Sequence, residues 1–233
     1  VVENKNMCGR FTLNQTAAAL AQAFDLEAVP DLAGQYNIAP TQMVATVLHK
    51  SESHKREFQQ LRWGLIPSWA KDPGMGAKLI NARAETVQEK PSFRSAFKHR
   101  RCLVLADGFY EWQRQQHKKQ PFYFRFQNEQ PFAFAGLWEK WQSPSGEEIT
   151  SCTILTTAAN DLLQPIHDRM PVILAPNDYN LWLDPQEQNP EALQQLLRPY
   201  PAEAMTSYPV STLVNKPQHN TPECIMPISE NNA

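Results

Sequence analysis

Apolar and polar positions along this chain follow strand spacing more often than helix spacing. Met43 to His49 and Glu57 to Trp63 read as two strands paired across the polar stretch Lys50 to Arg56. Cys102 to Ala106 is a dense apolar run, the pattern of a buried strand. Phe122 to Phe126, Phe132 to Leu137, Cys152 to Thr156, Val172 to Ala175 and Met205 to Val210 extend the series. Helical spacing is confined to short pieces. Thr16 to Phe24 places Leu20 and Phe24 four apart on one face, with Asn14 as the expected cap. Asn177 to Leu183, with Leu181 and Trp182 as core contacts, and Pro190 to Leu197 are the others. Val29-Pro30 and Asn37 to Thr41 mark loops. Residues 64–100 hold few regular periods and are expected to form a long polar loop, a feature that usually carries function. The sum is an α+β fold, mostly antiparallel, with peripheral helices.

Composition narrows the class. The 233 residues are 42% hydrophobic, which suits one globular domain with a substantial core. As many as 19 Pro against 8 Gly point to stiffened, loop-rich connections. No apolar run approaches the roughly 18 residues of a membrane span. The segment Val1 to Met7 lacks an apolar core of signal-peptide length, so a cytoplasmic location is expected. Cys8, Cys102, Cys152 and Cys224 form no CxxC pair, so neither a disulfide framework nor a zinc site is expected, and no cofactor is implied.

Charge adds a qualification. The net charge of −2 argues against a nucleic-acid binder. From Lys78 to Lys119, however, ten Lys or Arg face four Asp or Glu, whereas from Asp178 onward two face seven. Such asymmetry can place a basic face on a nearly neutral protein. A solvated surface accounts for it equally well.

Several segments could carry chemistry. Cys8 sits in Met7-Cys8-Gly9-Arg10-Phe11. Removal of Met7 would leave an amino-terminal cysteine, with amine and thiol on adjacent carbons and free pKa values of about 8 and 8.5. An aldehyde condenses with the amine to an imine, and the thiol then closes a five-membered thiazolidine. Arg10 could hold an anion beside the reacting carbon. Alone, the segment fits an ordinary small residue near a chain end better. Asn81 and Arg83 alternate with Ala82 and so share a face of an extended segment, suited to a sugar phosphate. A solvated polar edge fits them better in isolation. Glu111, flanked by Tyr110 and Trp112, would be partly desolvated, which raises a carboxyl pKa toward the range useful for proton transfer. It reads equally as an edge-strand glutamate. His167 precedes Asp168 and lies in a loop before Pro171, as a general acid or base or as a capping histidine. Arg169 is a further phosphate-binding candidate. Trp63 to Trp69 and Tyr36 to Pro40 offer aromatic and proline wedges, though core packing of either Trp is the commoner outcome.

In this order the segments resemble one family, the SOS-response-associated peptidase (SRAP) domain, which includes abasic-site processing proteins. The motifs that carry the resemblance are Met7 to Phe11, Tyr36 to Pro40, Trp63 to Trp69, Ile80 to Thr86, Phe93-Arg94, Arg101 to Val104, Asp107 to Trp112 and Ile166 to Pro171. The tail Val210-Ser211 through Val214-Asn215 and Asn220 is also similar. The resemblance implies a twisted antiparallel sheet curled into a pseudo-barrel, with a basic cleft for single-stranded DNA. It implies Cys8 as the nucleophile that crosslinks to the open-chain aldehyde of an abasic sugar. Asn81 would hold the amino-terminal region and the sugar. Glu111 would shuttle protons and His167 would assist ring opening. Arg10, Asn37, Arg83, Arg94 and Arg169 would contact the DNA backbone; Pro40, Trp69 and Trp112 would contact bases. The peptidase activity in the family name would remove the residues before the cysteine.

Expected organisation follows: residues 1–6 as a leader or remnant, 7–228 as one SRAP-like domain acting as a monomer, and 229–233 as a tail. Cys8 as written carries a peptide nitrogen, so crosslinking requires cleavage after Met7. A thiol peptidase acting on other proteins, with Cys8 and His167 as nucleophile and base, and a non-catalytic reader of damaged DNA are the competing functions.

Overall fold

The computed structural model describes residues 9–50, 55–115 and 118–228. Strands dominate them. In chain order they are β1 (Phe11–Leu13), β2 (Gln35–Ile38), β3 (Met43–Lys50), β4 (Lys55–Trp63), β5 (Asn81–Arg83), β6 (Arg101–Ala106) and β7 (Gly108–Gln115). Then come β8 (Lys118–Phe126), β9 (Phe132–Gln142), β10 (Glu148–Ala158), β11 (Arg169–Pro171), β12 (Ile173–Leu174) and β13 (Met205–Pro209). The helices are short and peripheral: α1 (Ala17–Phe24), α2 (Arg94–His99), α3 (Tyr179–Leu183) and α4 (Pro190–Gln195). None is long and apolar enough to cross a membrane.

The strands form two sheets. The smaller is antiparallel, in the order β13–β8–β7–β1–β2. In the larger, β4, β3, β6, β9 and β10 pair in a closed ring. A parallel pairing closes it, with Ser151 of β10 opposite Arg62 and Cys152 opposite Trp63. Closure leaves these five strands fewer open edges that could recruit another chain. The fold is thus the α+β, mostly antiparallel pseudo-barrel that the chain's patterning and family resemblance led us to expect.

Aromatic side chains join the two sheets. Phe11 packs edge-on against Trp63 and Phe134, with centroids 5.1 and 5.6 Å apart, and Phe109 packs edge-on against Phe134 at 6.0 Å. All are fully buried. Such rings bury large apolar area and add pair preferences of about 0.5–1.5 kcal/mol each. A strand's side chains alternate between faces. On β7, Phe109 therefore enters this core while Tyr110 joins a second cluster with Tyr123, Val210, Val214 and Cys224. That cluster lies under the C-terminal segment 210–228.

Arg101 fastens the helices to the ring. It is only 3% exposed, and its guanidinium donates to the carbonyls of Phe97, Lys98, Trp182, Asp184 and Glu187. Burial pulls its pKa down to about 10, which still leaves it charged at neutrality.

Four local expectations are corrected. Thr16, not Asn14, caps α1, its hydroxyl accepting from the Ala19 N–H at 3.1 Å. Asn14 instead gives its backbone N–H to Asp107 at 2.6 Å. Asn37-Ile38 lies in a strand rather than a loop, because its partner is the distant β1. Within 64–100 the chain forms β5 and α2, elements too short to show a period. Leu181 points outward at 38% exposure, and Tyr179, Trp182 and Leu183 make the core contacts of α3.

A polar knot ties β1 to the β6–β7 junction. The Thr12 hydroxyl lies 2.5 Å from Asp107 Oδ1 and 2.8 Å from the Tyr123 hydroxyl. Burial pushes the Asp107 carboxyl above its ordinary pKa, against the hydrogen bonds from Thr12 and Asn14. Gly108 is required beside this knot, since a Cβ there would come within 2.1 Å of the Tyr123 hydroxyl. Gly108→Ala is expected to lower stability by about 1–3 kcal/mol through overpacking. Urea unfolding checks this, and an unchanged midpoint would show that Tyr123 can move aside freely.

Candidate active site

A cleft of about 730 Å³ opens where the smaller sheet meets the loops at one end of the ring. Several distant stretches of chain line it: Gly9-Arg10, Pro40, Ala77 and Ile80, Glu111 to Arg114 with Lys119, Gln164 to Asp168, and Asn215. Of the expected site residues, Arg10, Pro40, Glu111, Trp112 and His167 meet here. Cys8 lies outside the described residues, but Gly9, to which it is bonded, is on the lining.

β1 and β7 set the relation between the amino-terminal segment and Glu111. Phe11 pairs with Phe109 and Thr12 with Gly108, and the Tyr110 N–H donates to the Arg10 carbonyl at 3.0 Å. Carried one residue further, this register puts Gly9 opposite Glu111. Glu111 shares the core-facing side of β7 with Phe109 and is 2% exposed. A carboxylate so placed works in a largely water-excluded environment.

His167 comes from the turn that follows β10. Its Nδ1 lies 3.1 Å from the Arg169 backbone nitrogen, which can donate to it. The Arg169 carbonyl at 3.2 Å and Asp168 Oδ1 at 3.4 Å also lie near this nitrogen. Gln113 Nε2 reaches the Pro165 carbonyl at 3.4 Å and links this turn to β7.

Arg10 is held by the C-terminal segment. Its Nη1 donates to Asn37 Oδ1 at 2.9 Å and to the Val214 carbonyl at 2.6 Å, and its Nη2 to the Asn215 carbonyl at 3.2 Å. Burial lowers its pKa, yet an arginine remains charged at any physiological pH. Trp112 is braced from the same segment, its indole N–H donating to Asn215 Oδ1 at 2.7 Å. Pro40 enters the cleft from a constrained turn. Thr41, next in the chain, has φ 74°, a left-handed conformation rare for a β-branched residue, and its N–H is fixed to the Trp63 carbonyl at 2.8 Å.

Other expected contacts lie elsewhere. Asn37 is 1% exposed, and its amide reaches the carbonyls of Val214, Lys216 and His219. It organises the C-terminal segment and has no surface to offer a DNA backbone. Arg169 grips Glu85 with two bonds, 2.6 and 2.9 Å, and donates to the Thr156 carbonyl at 2.7 Å. That pairing lowers the Glu85 pKa and occupies the guanidinium within the protein. Asn81 is half-buried on β5, opposite Ile154 of β10 and adjacent to the lining residue Ile80. Arg83, Arg94 and Trp69 are exposed and lie outside the cleft lining, Trp69 at 56% exposure. Trp63, by contrast, is core. Gln113, Arg114, Lys119 and Asn215 line the cleft without having been expected there. For Arg114 and Lys119 the signal was present in the basic stretch 78–119. Asn215 had only its place in the family-like tail.

Comparison with known proteins places these features in context. A family model described as SOS response associated peptidase (SRAP) matches residues 7–217. The chain is 46% identical over 223 residues to the abasic site processing protein YoqW of Bacillus subtilis, covering 94% of this chain and 99% of that protein. It is 39% identical to the abasic site processing protein HMCES of Xenopus tropicalis, over 76% of this chain and 59% of that longer one. A crystal structure of a protein from Bacteroides thetaiotaomicron superimposes with a TM-score of 0.83 at 28% identity, covering 95% of this chain and all of that one.

Asn37→Ala would strip partners from buried carbonyls of the C-terminal segment and one acceptor from Arg10. A loss of about 1–3 kcal/mol in stability is expected, with faster proteolytic cutting within residues 210–228. Limited proteolysis with mass mapping measures it; an unaltered cutting pattern would show that Arg10 and Tyr110 hold the segment unaided.

Proposed function

The chain belongs to the SOS response associated peptidase (SRAP) family, and from that membership we propose that it processes abasic sites in single-stranded DNA by covalent capture through Cys8. The observation that carries the proposal is the register of β1 on β7, which puts Gly9 opposite Glu111 at the floor of a cleft that also holds His167. A nucleophile bonded to the Gly9 nitrogen would need acid–base partners, and Glu111 and His167 both line the cleft that Gly9 lines. Residues 7–228 act as the working unit.

The chemistry runs in two stages. Water adds across the Met7–Cys8 peptide bond, releasing Met7 with a new carboxylate and freeing the Cys8 α-amine. Glu111 takes the proton from that water and returns one to the departing amine. An abasic sugar then opens from its cyclic hemiacetal to the C1′ aldehyde. His167 moves the proton between the ring oxygen and the anomeric hydroxyl in this step. The amine attacks C1′ and water leaves, giving an imine. Cys8 Sγ adds to the imine carbon, its proton passing to nitrogen, and a thiazolidine results. With C1′ locked in that ring the sugar no longer has the aldehyde that drives strand cleavage by β-elimination. Asn81 positions the amino-terminal segment from β5, and Arg10, fixed by three acceptors, presents positive charge to the strand. Trp112 and Pro40 offer surfaces on which unpaired bases stack, which favours single strands over duplex.

The test is a denaturing gel with protein carrying a free Cys8 amine, confirmed by mass, and a single strand bearing one abasic site. A heat-stable, shifted band is expected on abasic DNA alone and absent with Cys8→Ala. Glu111→Gln and His167→Ala should each slow its formation by about 10²–10⁴-fold. No band from the parent protein would reject covalent capture and favour a non-covalent reader.

A further inference from the structure

We propose that Glu85 is a positioning residue for His167, acting through Arg169. This rests on the role given above to His167 in opening the abasic sugar, and it gives a purpose to a carboxylate that the capture chemistry does not use. The turn that carries His167 ends at Arg169, the first residue of β11. Arg169 meets the ring with its own backbone: His167 Nδ1 lies 3.1 Å from the Arg169 nitrogen and 3.2 Å from its carbonyl oxygen. Whatever fixes Arg169 therefore helps to fix the imidazole.

Arg169 is fixed from across β10. Its strand β11 lies along one edge of β10, with Arg169 opposite Ala158. Glu85 follows β5, which lies along the other edge, with Arg83 opposite Thr156. The guanidinium spans β10 between them. Nη1 and Nη2 donate to the two Glu85 carboxylate oxygens at 2.6 and 2.9 Å. Nη2 also donates to the Thr156 carbonyl at 2.7 Å, an acceptor shared with the Ala84 N–H at 2.9 Å. Exposed ion pairs contribute little, because holding two long side chains costs entropy and water screens the charges. This pair has better geometry. A planar fork meets a carboxylate with two parallel bonds, and the Arg169 side chain is only 15% exposed. The same bonds hold the Glu85 carboxyl below its usual pKa, so the pair is ionised at neutrality. Glu85 is outside the cleft lining, so it reaches the reaction only through Arg169. The clamp joins β5, which carries Asn81, to the turn that carries His167.

Capture rate and strand affinity separate this role from others. Glu85→Gln keeps one acceptor for Arg169 and removes the charge. With a free Cys8 amine, it should slow capture of an abasic single strand about tenfold, since misplacing a reacting group by about 1 Å can cost about 10²-fold. In a His167→Ala background the same substitution should cost nothing further, because the group it positions is gone. Propionaldehyde has no ring to open, and its capture, read by mass, should proceed equally in the parent and in Glu85→Gln. Affinity for the abasic strand, measured in a Cys8→Ala background, should not change. The His167 ring resonance, assigned by its loss in His167→Ala, should shift in Glu85→Gln. An unchanged rate on the abasic strand would overturn the proposal. Slowing that adds to that of His167→Ala, or equal slowing with propionaldehyde, would overturn it by showing general loosening. A rise in affinity would overturn it as well, marking Arg169 as a strand contact that Glu85 holds back. If the parent captures neither aldehyde, the function falls and the ring resonance decides: a shift upholds the clamp, and an unmoved resonance rejects it.

Discussion

The structure depends on what β10 does with its two edges. Along one it pairs in parallel first with β4 and then with β5; along the other it pairs antiparallel with β9 and then, from Thr156 on, with β11. One eleven-residue strand therefore closes the ring, carries Asn81 in on β5 and launches the turn that ends in His167. Parallel neighbours require long connections. Within those connections, the stretches 64–80 and 84–100 that flank β5 expose Lys71, Lys78, Lys90, Arg94 and Lys98.

A second constraint acts from the C-terminal segment. Asn37, Arg10, Tyr110 and Trp112 all reach it or the chain beneath it through hydrogen bonds from buried or half-buried groups. Their partners are mainly backbone carbonyls. A buried polar group that loses its partner costs more than the bond contributes when made. This side of the cleft is consequently held as a unit, with Arg10 and Trp112 fixed before any ligand arrives. Preorganised groups lower the cost of ordering on binding. The opposite wall is lighter. It is a turn with local hydrogen bonds around Asn160, Leu163 and the His167 ring, tied to the distant Tyr200 carbonyl by the Asn160 amide. Gln113 on β7 reaches across to the Pro165 carbonyl of that turn.

Much of this was legible in the chain. Strand spacing foretold β3, β4, β6 and the core of β8, β9, β10 and β13, because each buries one face or both and so shows its period. Glu111 and His167 were legible as candidates through their neighbours: aromatic flanks for the one, an Asp and a downstream Pro for the other. The short elements were not. A three-residue strand such as β1 or β5 has no period, and it exists because a distant partner supplies its hydrogen bonds. The Asn14 cap failed for a related reason: Thr16 could serve the helix locally, while the buried Asp107 claimed the Asn14 N–H.

What the sequence determined by itself is the inventory: a strand-rich α+β chain, a basic central stretch, and the residue types that imine, thiol and proton-transfer chemistry needs. Local chemistry and periodicity suffice for that. Only the tertiary structure decided which of those residues work together. It sent Arg169 to Glu85 and Asn37 into the interior, drew Arg114 and Lys119 to the rim, and set Gly9 against Glu111. The reason is register. A one-residue shift of a strand reverses every side chain on it, and register here is chosen by long-range pairing and by aromatic packing between sheets, neither of which is written in any single segment.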